Sequence, residues 1–552
     1  MSKEREFEWT IMVYLSGDNN LSEQMIRALH DIKTMGVPRK VAVTIQYDPW
    51  APGFRTSRYA IPTKRGALPV VKDQPLRALL PIQDHLVWTA EKDEEDSSDP
   101  RALARFIRWS VEQYPSTYRM LILAGHGSGA SGDFLTDDNA RQGRAGSFTI
   151  PQLKRVFDLA QNGDDKLKDE SLKAALADDV LGVEGNGRCL LHVLGMDSCL
   201  MGMAEVCYQV AGYVGYLVGS EGYVPNAGWP YAYLLGKLKQ LRVKRRRALV
   251  PRELAEATVQ DTIAYYRDYI AAGISLDLTA CDLSKLEALG LRLKELTGTL
   301  TAEGGRLDPL VRDMLIVAHW RAQSYKFEQH TDLWDFCNEL KQAVDRAKNA
   351  MADGKAFEKI PAACDAVMKA IDATVEKRTA YCGAEFQHSR GLSVYFPWSA
   401  SPFELRTLED YAALEFARDS NWAGFLKSYL LGTRREMRET EEEGRTAVGR
   451  FVRPSQAYGQ RAAEGTNRAA EGTNRAAEGT NRAAEGTNRA AEGTNRLVMS
   501  LYAASGMTLP GSMKNPPSHA WASPPRRKHQ PAATSPSTSA RPMLPKGSEA
   551  QV

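Results

Sequence analysis

An α/β fold, with a mostly parallel sheet covered by helices on both faces, is what the first 230 residues of this 552-residue chain predict. Three observations carry that reading. Short apolar runs alternate with segments of helical spacing. The runs are unbroken rather than every-other-residue, as in strands buried on both faces. Their βαβα order calls for parallel neighbours joined by helical crossovers.

Element by element, Trp9–Leu15 reads as a buried strand and Leu21–Met35 as a helix. Val41–Ile45 is the next strand. Asp99-Pro100 opens a helix, with Asp as N-cap and Pro at the first helical position. That helix runs to about Tyr114, with Leu103, Phe106, Ile107 and Val111 on one face. Met120–Ala124 is a strand, and Thr149 begins another helix. Leu190–Leu194 is a strand, followed by a helix over about Leu200–Val210 and a strand over Tyr216–Ser220. In such sheets ligands bind at the carboxyl ends of the strands.

Residues 231–432 read as a helix-rich accessory lobe with two strand-like runs, Ile274–Leu278 and Gly391–Pro397. Residues 433–552 read as a disordered basic tail. RAAEGTN occurs there five times in succession, from Arg461 to Asn495. The seven-residue period suggests a coiled coil, but adjacent alanines are the only apolar content and each unit carries Gly and Asn, which oppose helix. Nine prolines in 510–552, among Ser, Thr and Arg, cannot build a core.

Composition removes several classes. The formal charge is +3, from 71 basic and 68 acidic residues. The tail holds 18 Lys/Arg against 11 Asp/Glu, so the first 432 residues are net −4, with 53 against 57. No strong field recruits nucleic acid, and the Arg526-Arg527-Lys528 run reads as solvated charge. Seven irregularly spaced cysteines with no CxxC pair describe neither a disulfide framework nor a structural zinc site. With no signal-peptide pattern and no apolar stretch of membrane length, a cytoplasmic protein is expected.

Two strand ends carry the chemistry. Ala124 leads into Gly125-His126-Gly127-Ser128-Gly129, and Leu194 into Gly195-Met196-Asp197-Ser198-Cys199. If these strands are neighbours, His126 faces Cys199, and a thiol beside an acid/base is the pattern of nucleophilic cysteine catalysis. Cys199 is also expected at a helix start, where the dipole favours a thiolate. The backbone N–H groups of Gly127 and Cys199 could form an oxyanion hole. Asp197 could pair with an arginine guanidinium, or else cap the following helix. Cys207, among Val206 and Tyr208, reads as core packing. Gly127–Gly132 matches GxGxxG after a strand, but a turn-like stretch follows where a dinucleotide site needs a helix.

Residues 9–20 (WTIMVYLSGDNN), 121–129 (LILAGHGSG), 196–205 (MDSCLMGMAE) and 219–231 (GSEGYVPNAGWPY) resemble the clostripain family of cysteine peptidases, in the caspase-like superfamily. Residues 276–289 and 391–397 resemble its C-terminal half. The resemblance runs collinearly over roughly 9–430 and leaves out the tail. It implies a caspase-like α/β/α sandwich, a His126–Cys199 dyad, and cleavage of proteins or peptides after Arg or Lys, with Asp197 in the pocket for the residue before the scissile bond. It places Ser220 and Glu221 in the wall of the substrate groove. It also suggests self-cleavage between the dyad residues, where Arg141 and Arg144 lie in a polar loop. No cofactor is required on this reading. Calcium, which some relatives need, finds Asp133, Asp137 and Asp138, but not in an EF-hand pattern. The alternative is a catalytically silent scaffold acting by partner binding, with the tail engaging an unknown partner.

Overall fold

The computed structural model describes residues 6–50, 55–62, 85–90, 96–132, 134–139, 146–162, 189–301, 307–325, 329–350, 357–375, 378–398 and 410–431. The chain divides into two compact units, 1–455 and 456–552, and all described residues belong to the first. The repeats and the rest of the tail lie outside the described residues.

A nine-stranded sheet forms the centre. Its strands are β1 (Phe7–Gly17), β2 (Val41–Pro49), β3 (Ser57–Ile61), β4 (Leu86–Thr89), β5 (Ser116–Ala124), β8 (Leu191–Asp197), β9 (Val214–Gly219), β10 (Leu276–Asp282) and β13 (Thr379–Cys382). Their order is β13-β10-β9-β8-β5-β1-β2-β3-β4. The middle strands, β9 through β2, are parallel. The additions at either side, β3, β4, β10 and β13, are antiparallel. A hairpin of β6 (Phe134–Asp137) and β7 (Gly146–Phe148), and a small sheet of β11 (Ser324–Tyr325), β12 (His330–Asp332) and β14 (Ser393–Tyr395), complete the strands.

The two-residue period of a strand sorts side chains between two cores. From β1, Met12 and Tyr14 enter one core, whereas Trp9, Ile11, Val13 and Leu15 enter the other. Helices α1 (Ser22–Met35), α5 (Tyr231–Arg245) and α6 (Pro251–Arg267) cover the second face. The first face is covered by α2 (Pro100–Gln113), α3 (Ile150–Asn162), α4 (Ala204–Val210), α7 (Leu286–Leu300), α8 (Pro309–Arg321), α9 (Leu333–Ala350), α10 (Lys359–Val375) and α11 (Glu415–Asp419). The result is the α/β/α sandwich that the alternating pattern implies.

The start of α2 is as expected: the Asp99 side chain accepts from Arg101 N, with Pro100 in the first turn. Cys207 is fully buried in the first core. The helix expected from Leu200 begins only at Ala204, because Leu200–Met203 is drawn into a turn beside β9. The strand expected at 274–278 is shifted to Leu276–Asp282. Among the described residues, those after 230 have no separate core. Their strands β10 and β13 extend the central sheet, and their helices fill both layers.

Phe106 is fully buried on α2, with its ring 5.9 Å from that of Tyr14 on β1. Phe106→Ala is expected to destabilise the fold by roughly 3–5 kcal/mol, the range for truncating a buried aromatic. Urea unfolding of both proteins measures it, and a loss under about 1 kcal/mol would mean this helix layer is not close-packed on the sheet.

Candidate active site

Parallel pairing of β5 with β8 sets Met120 beside Val193 and Ala124 beside Asp197. Just past that register Gly125 N donates to Asp197 O at 3.3 Å. His126 is two residues beyond Ala124, and Cys199 two beyond Asp197. Both therefore leave the sheet's carboxyl edge at the same level on adjacent strands. The turns touch: a Cβ on Gly127 would lie 2.4 Å from Cys199 O and 3.2 Å from Cys199 N, so only glycine fits.

The turn after Cys199 is tight. Leu200 has φ +64°, a region that costs a branched residue, and it is held there by its N–H donating to Gly222 O at 2.9 Å. Its side chain is buried with Tyr325 and Phe386, while Cys199 stays half-buried at the surface. The loop carrying Phe386 thus borders the site, which the sequence did not disclose. Phe386 packs where a Gly222 side chain would be, 2.5 Å from that position.

Val224 brackets the sulfur. Val224 N–H donates to Cys199 Sγ at 3.3 Å, and Sγ lies 3.7 Å from Val224 O. Burial pushes the Cys199 thiol up, the Val224 N–H opposes this, and the nearby Asp197 charge adds to the rise. The expected help from a helix dipole is missing, since α4 starts five residues later with Met203 as N-cap. Burial lowers the His126 pKa, partly offset by Asp138. Both shifts oppose the thiolate–imidazolium form, and burial is the largest cause of each. The ring is not alone: His126 Nε2 is 2.5 Å from Asn20 Oδ1. Asn20 went unassigned in the sequence, although it closes the DNN that follows the first strand.

Asp197 caps no helix. It is buried, with both carboxylate oxygens 3.0 Å from Trp229 N and Oδ2 accepting from Tyr231 Oη at 2.8 Å. Burial raises its pKa to about 6 against these donors. A carboxylate offers about four acceptor positions, so the bidentate fork expected with arginine is reduced to a single further bond. Ser220 and Glu221 are corrections. Both are fully buried: Ser220 Oγ donates to Asp277 Oδ1 at 2.9 Å, and Glu221 Oε1 accepts from Gly391 N at 2.8 Å. Neither side chain is open to a substrate in this structure. Burial raises Glu221 well above the usual carboxylate range, with Asp332 and Asp277 adding to it, and Asp332 is raised to about 7.

Arg141, Arg144 and Asp133 lie outside the described residues. Asp137 is buried and accepts from Ser97 N at 2.7 Å and Asn139 N at 3.0 Å, while Asp138 is exposed. The GxGxxG at 127–132 leads into one 3-10 turn, Gly129–Ser131, and then β6. It lacks the helix on which a pyrophosphate would rest.

The family model described as "Clostripain family" matches residues 13–429. The chain belongs to the clostripain family. Clostripain of Hathewaya histolytica is 25% identical over 246 residues, which is 43% of this chain and 43% of that protein, so the match spans under half of the relative. Among solved structures, a secreted C11 cysteine protease from Bacteroides thetaiotaomicron in complex with an irreversible peptide inhibitor is 15% identical, with TM-score 0.47. It covers 75% of this chain and 99% of its own. An inactive zymogen C11 protease from Parabacteroides distasonis is 16% identical, with TM-score 0.45, over 75% of this chain and 97% of its own. Among the described residues no helix is long and apolar enough to cross a membrane. The cytoplasmic expectation finds no support in these likenesses.

Two outcomes follow from the geometry. Gly127→Ala forces the two site turns apart, because its Cβ would meet the Cys199 backbone, so melting temperature should fall and labelling of the Cys199 thiol should change; a variant with unaltered labelling and melting would contradict the contact. For Glu221, the folded state holds a proton that the unfolded chain releases near pH 4, so the associated stability is complete below that pH. It is lost as pH rises through the folded-state values, that of Asp332 being about 7. Glu221→Gln keeps the Gly391 bond without the titration. Its urea-unfolding stability should fall less than wild type's between pH 4 and 8, and parallel curves would show that the acid cluster is not what titrates.

Proposed function

We propose that this clostripain-family chain is a cysteine endopeptidase working through Cys199 and His126, with a preference for Arg or Lys before the scissile bond. The observation that carries the reading is the β5–β8 register, which brings a thiol and an imidazole from distant sequence to one level of the carboxyl edge. Gly127 against the Cys199 backbone adds the second requirement, since two N–H groups on touching turns suit a developing oxyanion.

Burial opposes a preformed ion pair, so the proton transfer is written together with the attack. His126 takes the Cys199 proton as sulfur attacks the peptide carbonyl carbon, giving a tetrahedral oxyanion. Collapse breaks the C–N bond, and the proton passes from the imidazolium to the departing amine. Water then attacks the thioester carbonyl as His126 takes one of its protons; collapse breaks the C–S bond, releases the acid and returns that proton to sulfur. Backbone donors from Gly127 and Cys199 would hold the oxyanion in both halves.

Asp197 supports the basic preference. It is a buried carboxylate two residues before the nucleophile, with one acceptor position left for a cation. One remaining position suits a lysine ammonium as well as an arginine, and the gain is a charge-assisted hydrogen bond in a dry site. Self-processing, suggested by the family resemblance, would act on the segment containing Arg141 and Arg144.

The test is turnover of fluorogenic peptides differing only in the residue before the scissile bond. Cys199→Ala should abolish cleavage, and persistence of wild-type turnover would refute the mechanism. Asp197 must be ionised to attract a cation, so the ratio of Arg to norleucine cleavage should fall as pH drops through about 6. Taking the ratio cancels the His126 titration common to both substrates. Asp197→Asn should bring that ratio toward 1 at all pH values, and a ratio unchanged in the variant would move the specificity elsewhere.

A further inference from the structure

We propose that Asn20 is the positioning residue of His126, making the working unit a line of three side chains, Asn20–His126–Cys199; this rests on the peptidase reading above. The sheet supplies the line. β1, β5 and β8 are consecutive neighbours, with Leu15 beside Ala124 and Ala124 beside Asp197. Asn20, His126 and Cys199 each follow the carboxyl end of one of these strands, and the histidine belongs to the middle one.

Asn20 stands on a built turn. Before it, Asp18 is fully buried, and its carboxylate accepts from Asn139 Nδ2 at 2.8 Å and Asn139 N at 3.2 Å. Asp18 O also accepts from Asp138 N at 2.8 Å. Asn19 is buried and donates from Nδ2 to Thr136 O at 2.7 Å and Ser16 O at 3.2 Å, while its Oδ1 accepts from Leu21 N at 2.9 Å. Adjacent asparagines thus do different things. Asn19 is consumed in holding the backbone, and Asn20 projects from the fixed turn onto the imidazole.

The contact has chemical content. An amide oxygen only accepts, so Nε2 carries the hydrogen and Nδ1 keeps the lone pair. A neutral imidazole can hold its proton on either nitrogen and can rotate about its side-chain bonds. Asn20 selects one tautomer and one ring orientation, leaving Nδ1 as the base that receives the Cys199 proton and later hands it to the amine. The third group of such a constellation orients the base without itself changing protonation. Being uncharged, Asn20 does this without raising the imidazole pKa as a carboxylate would.

The experiment compares full-length wild type with Asn20→Ala, Asn20→Asp, His126→Ala and Cys199→Ala. Kinetics on a fluorogenic peptide are read as kcat and KM across pH, with melting temperature as the folding control. Asn20→Ala should lower kcat roughly 10- to 100-fold, the scale of a misoriented acid/base, with KM and melting little changed. Asn20→Asp should restore most of the rate and move the acid limb of kcat/KM to higher pH, because its charge favours imidazolium. Wild-type kcat in Asn20→Ala, or a rate in Asn20→Asp as low as in Asn20→Ala with an unmoved limb, overturns the proposal. Full activity in Cys199→Ala would instead overturn the peptidase reading. A readout independent of turnover is the ring-nitrogen spectrum of 15N-histidine-labelled protein, with His126 assigned by its loss in His126→Ala. The Nε2–H tautomer is expected in wild type and its loss in Asn20→Ala. Identical His126 signals in the two would overturn the role even in a preparation without turnover.

Discussion

The parallel register of β1, β5 and β8 is the constraint on which the site depends. Each strand is buried on both faces along most of its length, so its side chains are committed to two different cores. A slip of one residue would exchange every inward and outward set and misfit both layers at once. The register is therefore held by dozens of apolar contacts far from the chemistry. Asn20, His126 and Cys199 are separated by more than a hundred and by more than seventy residues of chain, yet their spacing follows from the pairing of Leu15, Ala124 and Asp197.

A second layer of control comes from buried acids. Asp197 gathers Trp229 N and Tyr231 Oη, Asp277 gathers Glu221 N, Gly222 N and Ser220 Oγ, and Glu221 takes Gly391 N. Each fastens a loop of the carboxyl edge through backbone donors that would otherwise be unsatisfied. Burying several carboxyls together is unfavourable when all are charged, and the shifts of Glu221, Asp277 and Asp332 toward the neutral form express that cost. What the fold gains is loop position. The segment 220–222 reaches the turn after Cys199 directly, because Gly222 O and Ser220 O accept from Leu200 N and Gly202 N.

The legibility of this molecule in its sequence followed the strength of local signals. Continuous apolar runs at 9–15 and 120–124 and the Asp99-Pro100 start marked real elements, because burial and capping are written in adjacent residues. His126 and Cys199 drew attention as a pair, because each follows an apolar run: Gly125 and Gly127 flank the histidine, and the cysteine closes Asp197-Ser198-Cys199. The short strands at 57–61, 86–89 and 379–382 were not readable. They pair antiparallel beside the parallel strands, and their identity comes from the neighbour rather than from their own pattern. Ser220 and Glu221 misled for a related reason. The resemblance placed them in a groove wall, and nothing adjacent marks them as buried, since their partners Asp277 and Gly391 lie 57 and 170 residues away. Asn20 had the opposite fault: in a run of Asp18, Asn19 and Asn20, nothing local says which amide holds the turn and which faces the histidine.

The electrostatics of the pair point to how catalysis would be divided among its parts. Burial raises the Cys199 thiol and lowers His126, so a preformed thiolate–imidazolium pair is disfavoured from both sides. Neither a helix dipole nor a cation within the described surroundings reverses this; the only opposing contacts on the sulfur are backbone N–H groups. On the proposed mechanism, a thiol whose ionisation burial opposes depends on proton transfer concerted with attack, and concerted transfer is sensitive to ring orientation. A His126 tautomer fixed by Asn20, as proposed, would therefore matter more here than in a site where the thiolate already exists. It also gives the buried Asp197 a double bearing: its charge disfavours the thiolate at rest, and a cationic side chain arriving beside it would relieve that effect. Binding of a basic residue would then make the thiol easier to ionise at the moment its target carbonyl is delivered, coupling recognition to the chemical step through one carboxylate.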